Sequence, residues 1–141
     1  MMPHRPRPIR LFIVLMLLFV FLTAACGGGT ADPENVFIAD EADSGQTVTM
    51  AVGDALQIML AENQSTGYLW SVVTNDETVL ASSAEPSYEV DSEADGAGGV
   101  KTFMFRAAAP GTSELRLVNA MTQDTAVEPS RVFELTVQVV E

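Results

Sequence analysis

Histidine and cysteine are all but absent: His4 and Cys26 are the only ones among 141 residues. Both lie in a leading segment that reads as an export signal and not as part of a fold. Arg5, Arg7 and Arg10 precede an apolar run from Leu11 to Leu22 that is too short to span a bilayer comfortably. The run closes on Leu22-Thr23-Ala24-Ala25-Cys26, small residues before a cysteine, which is the pattern of a bacterial lipobox. Residues 1–25 are therefore expected to be cut away as a lipoprotein signal, leaving Cys26 as the lipid attachment residue. The exported protein then carries no imidazole and no free thiol. That removes Ser-His-Asp and Cys-His nucleophiles and His-containing zinc sites together. With a single cysteine no intramolecular disulfide can form, so stability must come from packing.

Positive charge is the second shortage. From Cys26 onward Lys101, Arg106, Arg116 and Arg131 stand against all 19 acidic residues, a net −15 where the whole chain has −12. Nucleic-acid affinity is mostly phosphate neutralisation by Lys and Arg, so nucleic acid is excluded as a partner. Anionic headgroups are repelled for the same reason, which leaves the membrane in contact through the lipid anchor only. There each buried methylene contributes about 0.8 kcal/mol. Chemistry by carboxylates alone survives this elimination, but the sequence places no pair of acids as a glycosidase needs. The stretch Asp91-Ser92-Glu93-Ala94-Asp95-Gly96 imitates the opening of a calcium loop, yet its twelfth position is Thr102 and supplies no closing carboxylate. It reads as a solvated acidic loop. The expectation is a protein that is not an enzyme, with no metal and no cofactor.

A long 3.6-residue period is also missing, and a period of two takes its place. Leu56, Ile58 and Leu60 share one face of a strand; Phe103 and Phe105, Leu115 and Leu117, and Phe133, Leu135, Val137 and Val139 repeat the pattern with polar residues between them. Further strands are expected at 36–39, 47–52, 68–73, 79–81 and 87–90, separated by Gly, Pro, Asp, Asn and Ser clusters. Such spacing predicts an all-β fold, an immunoglobulin-like antiparallel β-sandwich of seven or eight strands. The domain plan is a signal at 1–25, the lipidated cysteine with a Gly-rich flexible spacer at 26–33, and one folded domain at 34–141.

Against this background one loop stands out. Asn63-Gln64-Ser65-Thr66-Gly67 follows the strand of Leu56 to Leu60 and runs into Tyr68-Leu69-Trp70, so a small polar loop is mounted between a buried strand and two aromatics. Gly67 permits a positive φ, and Ser65 and Thr66 bring hydroxyls without bulk. By itself a Ser-Thr-Gly stretch is an ordinary β-turn, and Asn63-Gln64-Ser65 also fits a glycosylation acceptor, a match incidental in a bacterial lipoprotein. Tyr68 and Trp70, two residues apart, are expected to pack into the sandwich or its rim and not to hold a ligand. A second small-residue stretch, Gly96-Ala97-Gly98-Gly99, precedes the Phe103 strand; by itself it is a flexible hairpin without the lysine of a phosphate loop.

Taken with Ala51-Val52-Gly53-Asp54 upstream, these residues resemble the chagasin-like inhibitors of papain-type cysteine proteases over roughly residues 46–141. The first loop of that family usually reads Asn-Pro-Thr-Thr-Gly followed by an aromatic. The resemblance implies the same sandwich fold and a papain-type cysteine protease as partner. It implies protease contact by Asn63, Gln64, Ser65, Thr66, Gly67 and Tyr68, with the Ser65-Thr66 pair entering the cleft beside the nucleophile. It also implies main-chain contact by Gly96, Ala97, Gly98 and Gly99. Gln64 replaces the usual proline, which is expected to leave the loop less preorganised. The third family loop carries Arg-Pro-Trp, whereas this chain has Met121-Thr122-Gln123; losing that tryptophan removes about 2 kcal/mol or more of anchoring, and Met121 and Thr122 are left to supply softer contact. The resulting expectation is a monomeric, extracytoplasmic, lipid-anchored inhibitor at the cell membrane. A surface-tethered immunoglobulin-like binding module without inhibitory activity stays open beside it.

Overall fold

The computed structural model of the chain describes residues 32–121 and 128–141. Eight strands occupy them: β1 (Val36–Ala39), β2 (Gln46–Ala51), β3 (Ala55–Glu62), β4 (Tyr68–Thr74), β5 (Leu80–Val90), β6 (Gly99–Ala107), β7 (Gly111–Met121) and β8 (Arg131–Val140). They form two four-stranded sheets, ordered β1-β3-β6-β5 and β2-β8-β7-β4. The inward faces are the ones the alternation marks. Leu56, Ile58, Leu60, Phe103 and Phe105 from one sheet meet Leu115, Leu117, Phe133, Leu135 and Val137 from the other, all buried, with Met50, Trp70 and Leu80 completing the core. Truncating any of the large ones leaves a cavity worth roughly 2–5 kcal/mol.

Two details differ from the sequence expectation. The pairings β1 with β3 and β2 with β8 are parallel, inside a sandwich otherwise paired antiparallel. Alternation encodes which face is buried, not strand direction. Direction is set here by the short crossing from β1 to β2, where a 3-10 turn at Glu41–Asp43 is boxed by Asp40 and carries the chain to the second sheet. Gly45 N–H and Ser44 Oγ then bond the main chain of Glu134, fixing the crossing against β8. The expected strands 79–81 and 87–90 are one strand, β5, with register shifts between Ser82 and Ala84 and between Ala84 and Ser87. Pro86 lies beside the second shift; an outer strand tolerates it because one side of its backbone needs no ladder partner.

The domain has two distinct poles. β3 starts at the Asp54 turn and ends at Glu62, and β1 runs parallel to it, so the chain enters beside Asp54. The last residues of β8 sit at the same pole, where Val52 N–H bonds the Val140 carbonyl at 2.9 Å. Both ends of the described domain therefore lie away from the loop that follows Glu62.

Candidate functional site

That loop is a single 3-10 turn, Gln64–Thr66, whose ends are written in the sequence. Asn63 precedes it in an extended conformation (φ −125°, ψ 99°), and its side-chain oxygen accepts the Ser65 N–H. Gly67 closes it in the left-handed region at φ 80°, where a residue with a Cβ is penalised. Ser65 Oγ donates to Asn63 Oδ1 at 2.7 Å, and Thr66 Oγ1 donates to the Asn63 carbonyl at 2.7 Å. Both hydroxyl protons are thus used within the turn. The tip, exposed from Gln64 to Gly67, offers outward mainly oxygen lone pairs and main chain.

Two further tips meet this one. Asn63 Nδ2 donates to the Gly96 carbonyl at 3.0 Å, and a Cβ built on Gly96 would approach Ser65 Oγ to 3.9 Å. On the other side Tyr68 pairs in register with Met121, and a Cβ on Gly67 would lie 3.6 Å from Met121 Cε. The end of β3, the approach to β6 and the end of β7 therefore share one rim. Within the second tip the glycines differ. Gly96 is exposed with φ 75°, while Gly99 is buried as the first residue of β6. A Cβ on Gly99 would collide with the Glu89 carbonyl and stand 2.8 Å from the Tyr88 hydroxyl, so its glycine serves strand packing. Met121 is 43% exposed. Thr122 and Cys26 lie outside the described residues.

Beneath the rim is a polar layer whose inner members, Glu62 and Trp70, are buried. Glu62 is 2% exposed, on the inward face shared with Leu60. Its carboxyl accepts the Trp70 N–H at 2.6 Å and Gln64 Nε2 at 3.2 Å, while its carbonyl accepts the Tyr88 hydroxyl at 3.3 Å. Trp70 is buried at 4% exposure, donates Nε1 to the Ala61 carbonyl at 2.9 Å, and carries the Arg131 guanidinium 5.2 Å from its ring centroid. Arg131 also donates to the Ala61 carbonyl and pairs with Glu41, both at 2.7 Å. A stacked cation of this kind contributes about 0.5–1 kcal/mol at a partly exposed site. Trp70 is a foundation of the rim, as its spacing from Tyr68 suggests, while Tyr68 is half-buried beside Met121.

A model of the family described as chagasin family peptidase inhibitor I42 matches residues 49–137. The chain belongs to the chagasin family. Three solved structures are similar to this chagasin-family protein. The cysteine protease inhibitor EhICP2 of Entamoeba histolytica is 19% identical with a TM-score of 0.68, over 75% of this chain and 96% of its own. Amebosin is 25% identical with a TM-score of 0.63, over 74% and 97%. PbICP-C, solved in complex with falcipain-2, is 17% identical with a TM-score of 0.50, over 80% and 95%. No curated protein matches the chain.

The family match spans both the first and second tips and reaches β8. Sequence reading singled out the tips but passed over Glu62, Glu41 and Arg131. Only Glu62 announced itself: it continues the inward alternation of Leu56, Ile58 and Leu60 with a carboxyl where a hydrocarbon belongs. Among the described residues no group of three or more His, Cys, Asp or Glu is placed to hold a metal ion, and the acids of 91–95 are exposed.

Proposed function

We propose that this chagasin-family protein is a reversible inhibitor of papain-type cysteine proteases, occluding the active-site cleft with the three neighbouring tips. The observation that carries the reading is their convergence: Asn63 bonded to Gly96, and Gly67 and Tyr68 against Met121, on one rim. Ser65, Thr66 and Gly67 form the part that enters beside the nucleophile, Gly96 to Gly98 flank it through main chain, and Met121 with Thr122 gives the softer third contact. Nothing in this set reacts covalently, and no cofactor is required. The partner class is supported by the family's description as peptidase inhibitors, by the cysteine protease inhibitor EhICP2 and by the falcipain-2 bound to PbICP-C. The protein is extracytoplasmic, monomeric and tethered to a bacterial cell membrane by lipid on Cys26. Asn35, just before β1, lies at the pole away from the rim.

Titrating papain with a 31–141 fragment tests the proposal. Submicromolar, reversible, active-site-directed inhibition is expected. Absence of inhibition at tens of micromolar supports the second reading, a tethered binding module whose tips serve another partner. The exposed Met121 at the tip where the family carries Arg-Pro-Trp is what favours that alternative.

A further inference from the structure

The first tip lacks the proline that would fix its backbone, yet its first residue is tied down from below. Gln64 opens the 3-10 turn and is exposed, while Glu62, two residues earlier, is buried on the inward face of β3. Gln64 Nε2 reaches back to Glu62 Oε1 at 3.2 Å, and the other carboxyl oxygen accepts the Trp70 N–H at 2.6 Å. Glu62 also pairs in register with Gly99, and its carbonyl takes the Tyr88 hydroxyl. One side chain thus links the core aromatic Trp70 to the leading edge of the exposed turn, and its main chain abuts the second tip. A carboxyl at a position that faces hydrocarbon costs stability relative to an apolar residue of the same size. The bond to an exposed tip residue gives this carboxyl a role beyond packing.

We propose that Glu62 is a positioning residue for inhibition: through Gln64 it holds the 64–66 turn in its binding geometry, taking over the restraint that a proline at position 64 would give. This rests on the inhibitor reading above. The clamp depends on a directional match, an acceptor on 62 facing a donor on 64, and that direction can be reversed. In Glu62→Met no oxygen remains to accept the Gln64 NH2 and the clamp opens, whereas in Glu62→Gln alone the Gln64 amide turns over and offers its oxygen to the new NH2, so the clamp is kept. Gln64→Glu alone sets two carboxyls against each other. The double exchange Glu62→Gln/Gln64→Glu restores one donor facing one acceptor.

The experiment measures papain inhibition constants and melting temperatures for the full chain, wild type and variants, together with amide exchange at Thr66 and Gly67. Glu62→Met, Gln64→Glu and Gln64→Ala should each weaken inhibition by about 3- to 10-fold, the ratio one lost hydrogen bond gives, while Glu62→Gln stays within about 3-fold of wild type. The double exchange should recover to within about 3-fold of wild type, with Thr66 and Gly67 exchange slowed again in step. A purely structural Glu62 would show melting temperatures that fall while inhibition constants stay fixed. That result, or a double exchange no better than Gln64→Glu alone, overturns the proposal. If the wild-type protein does not inhibit papain, the inhibitor reading falls, and Glu62 with it as a residue for inhibition; exchange at Thr66 and Gly67 then decides whether the clamp itself exists.

Discussion

β3 is bracketed by two buried carboxyls that are used in opposite ways. Asp54 and Glu62 are each 2% exposed, one before the strand and one at its end. Asp54 accepts the Ala51 N–H at 2.9 Å and the main-chain and side-chain N–H groups of Asn35 at 3.1 and 3.0 Å. Every one of those donors belongs to its own pole, so the carboxyl locks a turn and the incoming chain together and nothing else. Glu62 spends one oxygen on the core and the other on an exposed side chain at the tip. A carboxyl satisfied by local backbone makes a fixed point. A carboxyl shared between core and tip ties the exposed turn to the core.

The comparison breaks most visibly at the tips of the two poles. Thr66→Arg puts a long cation where the turn should enter a narrow cleft and also removes the hydroxyl that bonds the Asn63 carbonyl. Inhibition should weaken by about 100-fold or more, equivalent to about 2.8 kcal/mol, while the melting temperature moves by no more than a few degrees. A variant inhibiting like wild type would remove the first tip from the interface. Asp54→Ala should do the reverse: a clear drop in melting temperature with the inhibition constant within about 3-fold of wild type, since the damage lies at the far end of β3. If both poles responded alike in both assays, the division of labour between them would be wrong.

Acid offers a graded version of the same contrast. The Ala51 N–H holds the Asp54 carboxyl below its ordinary 3.8; burial opposes this, and the Asn35 donors add to the lowering. The Thr78 hydroxyl and N–H do the same for Asp76. A lowered native pKa means that the unfolded chain binds more protons as pH falls, so the contribution is complete above the unfolded value and is lost below it. Unfolding free energy should therefore be insensitive to Asp54 above about pH 5 and should slope downward through and below 3.8. Asp54→Asn should flatten part of that slope in denaturant titrations at pH 3 to 6. An identical slope in the variant would show that other carboxylates carry the acid sensitivity.

How far the sequence could be read follows from what each signal encodes. Alternation at Leu56-Ile58-Leu60 and Phe133-Leu135-Val137-Val139 reports burial directly, and those side chains are the core. Gly67 announces a left-handed turn end because few other residues sit there without penalty, and the turn ends at it. The strand direction of β1 and β2 was not legible, because parallel and antiparallel partners demand the same alternation. β5 read as two pieces because Pro86 and a bulge interrupt the period without ending the strand. The expected looseness at Gln64 came from the missing proline alone; it omitted the Asn63 cap and the bond to Glu62, both of which need three-dimensional proximity. Arg131 on Trp70 and Glu41 lies further beyond reach, joining residues 61 and 90 positions apart with no local pattern.

The smallest expected effect is also the sharpest test of how the tip is held. Gln64 is the first residue of its turn, and Asn63 before it is extended at φ −125° and ψ 99°, the kind of backbone a following proline tolerates. Gln64→Pro should therefore fit without strain, and restricting the unfolded chain adds about 0.4–1 kcal/mol of stability. It also deletes the Nε2 bond to Glu62, so the inhibition constant should stay within about 3-fold of wild type as one restraint replaces the other. The informative number is the coupling. In the Gln64→Pro background, Glu62→Met should lose its effect on inhibition, because no amide remains at 64 for the carboxyl to hold. If Glu62→Met weakened inhibition equally in both backgrounds, its influence would run through Trp70 and not through the tip, and the two ends of β3 would be alike in serving only the fold.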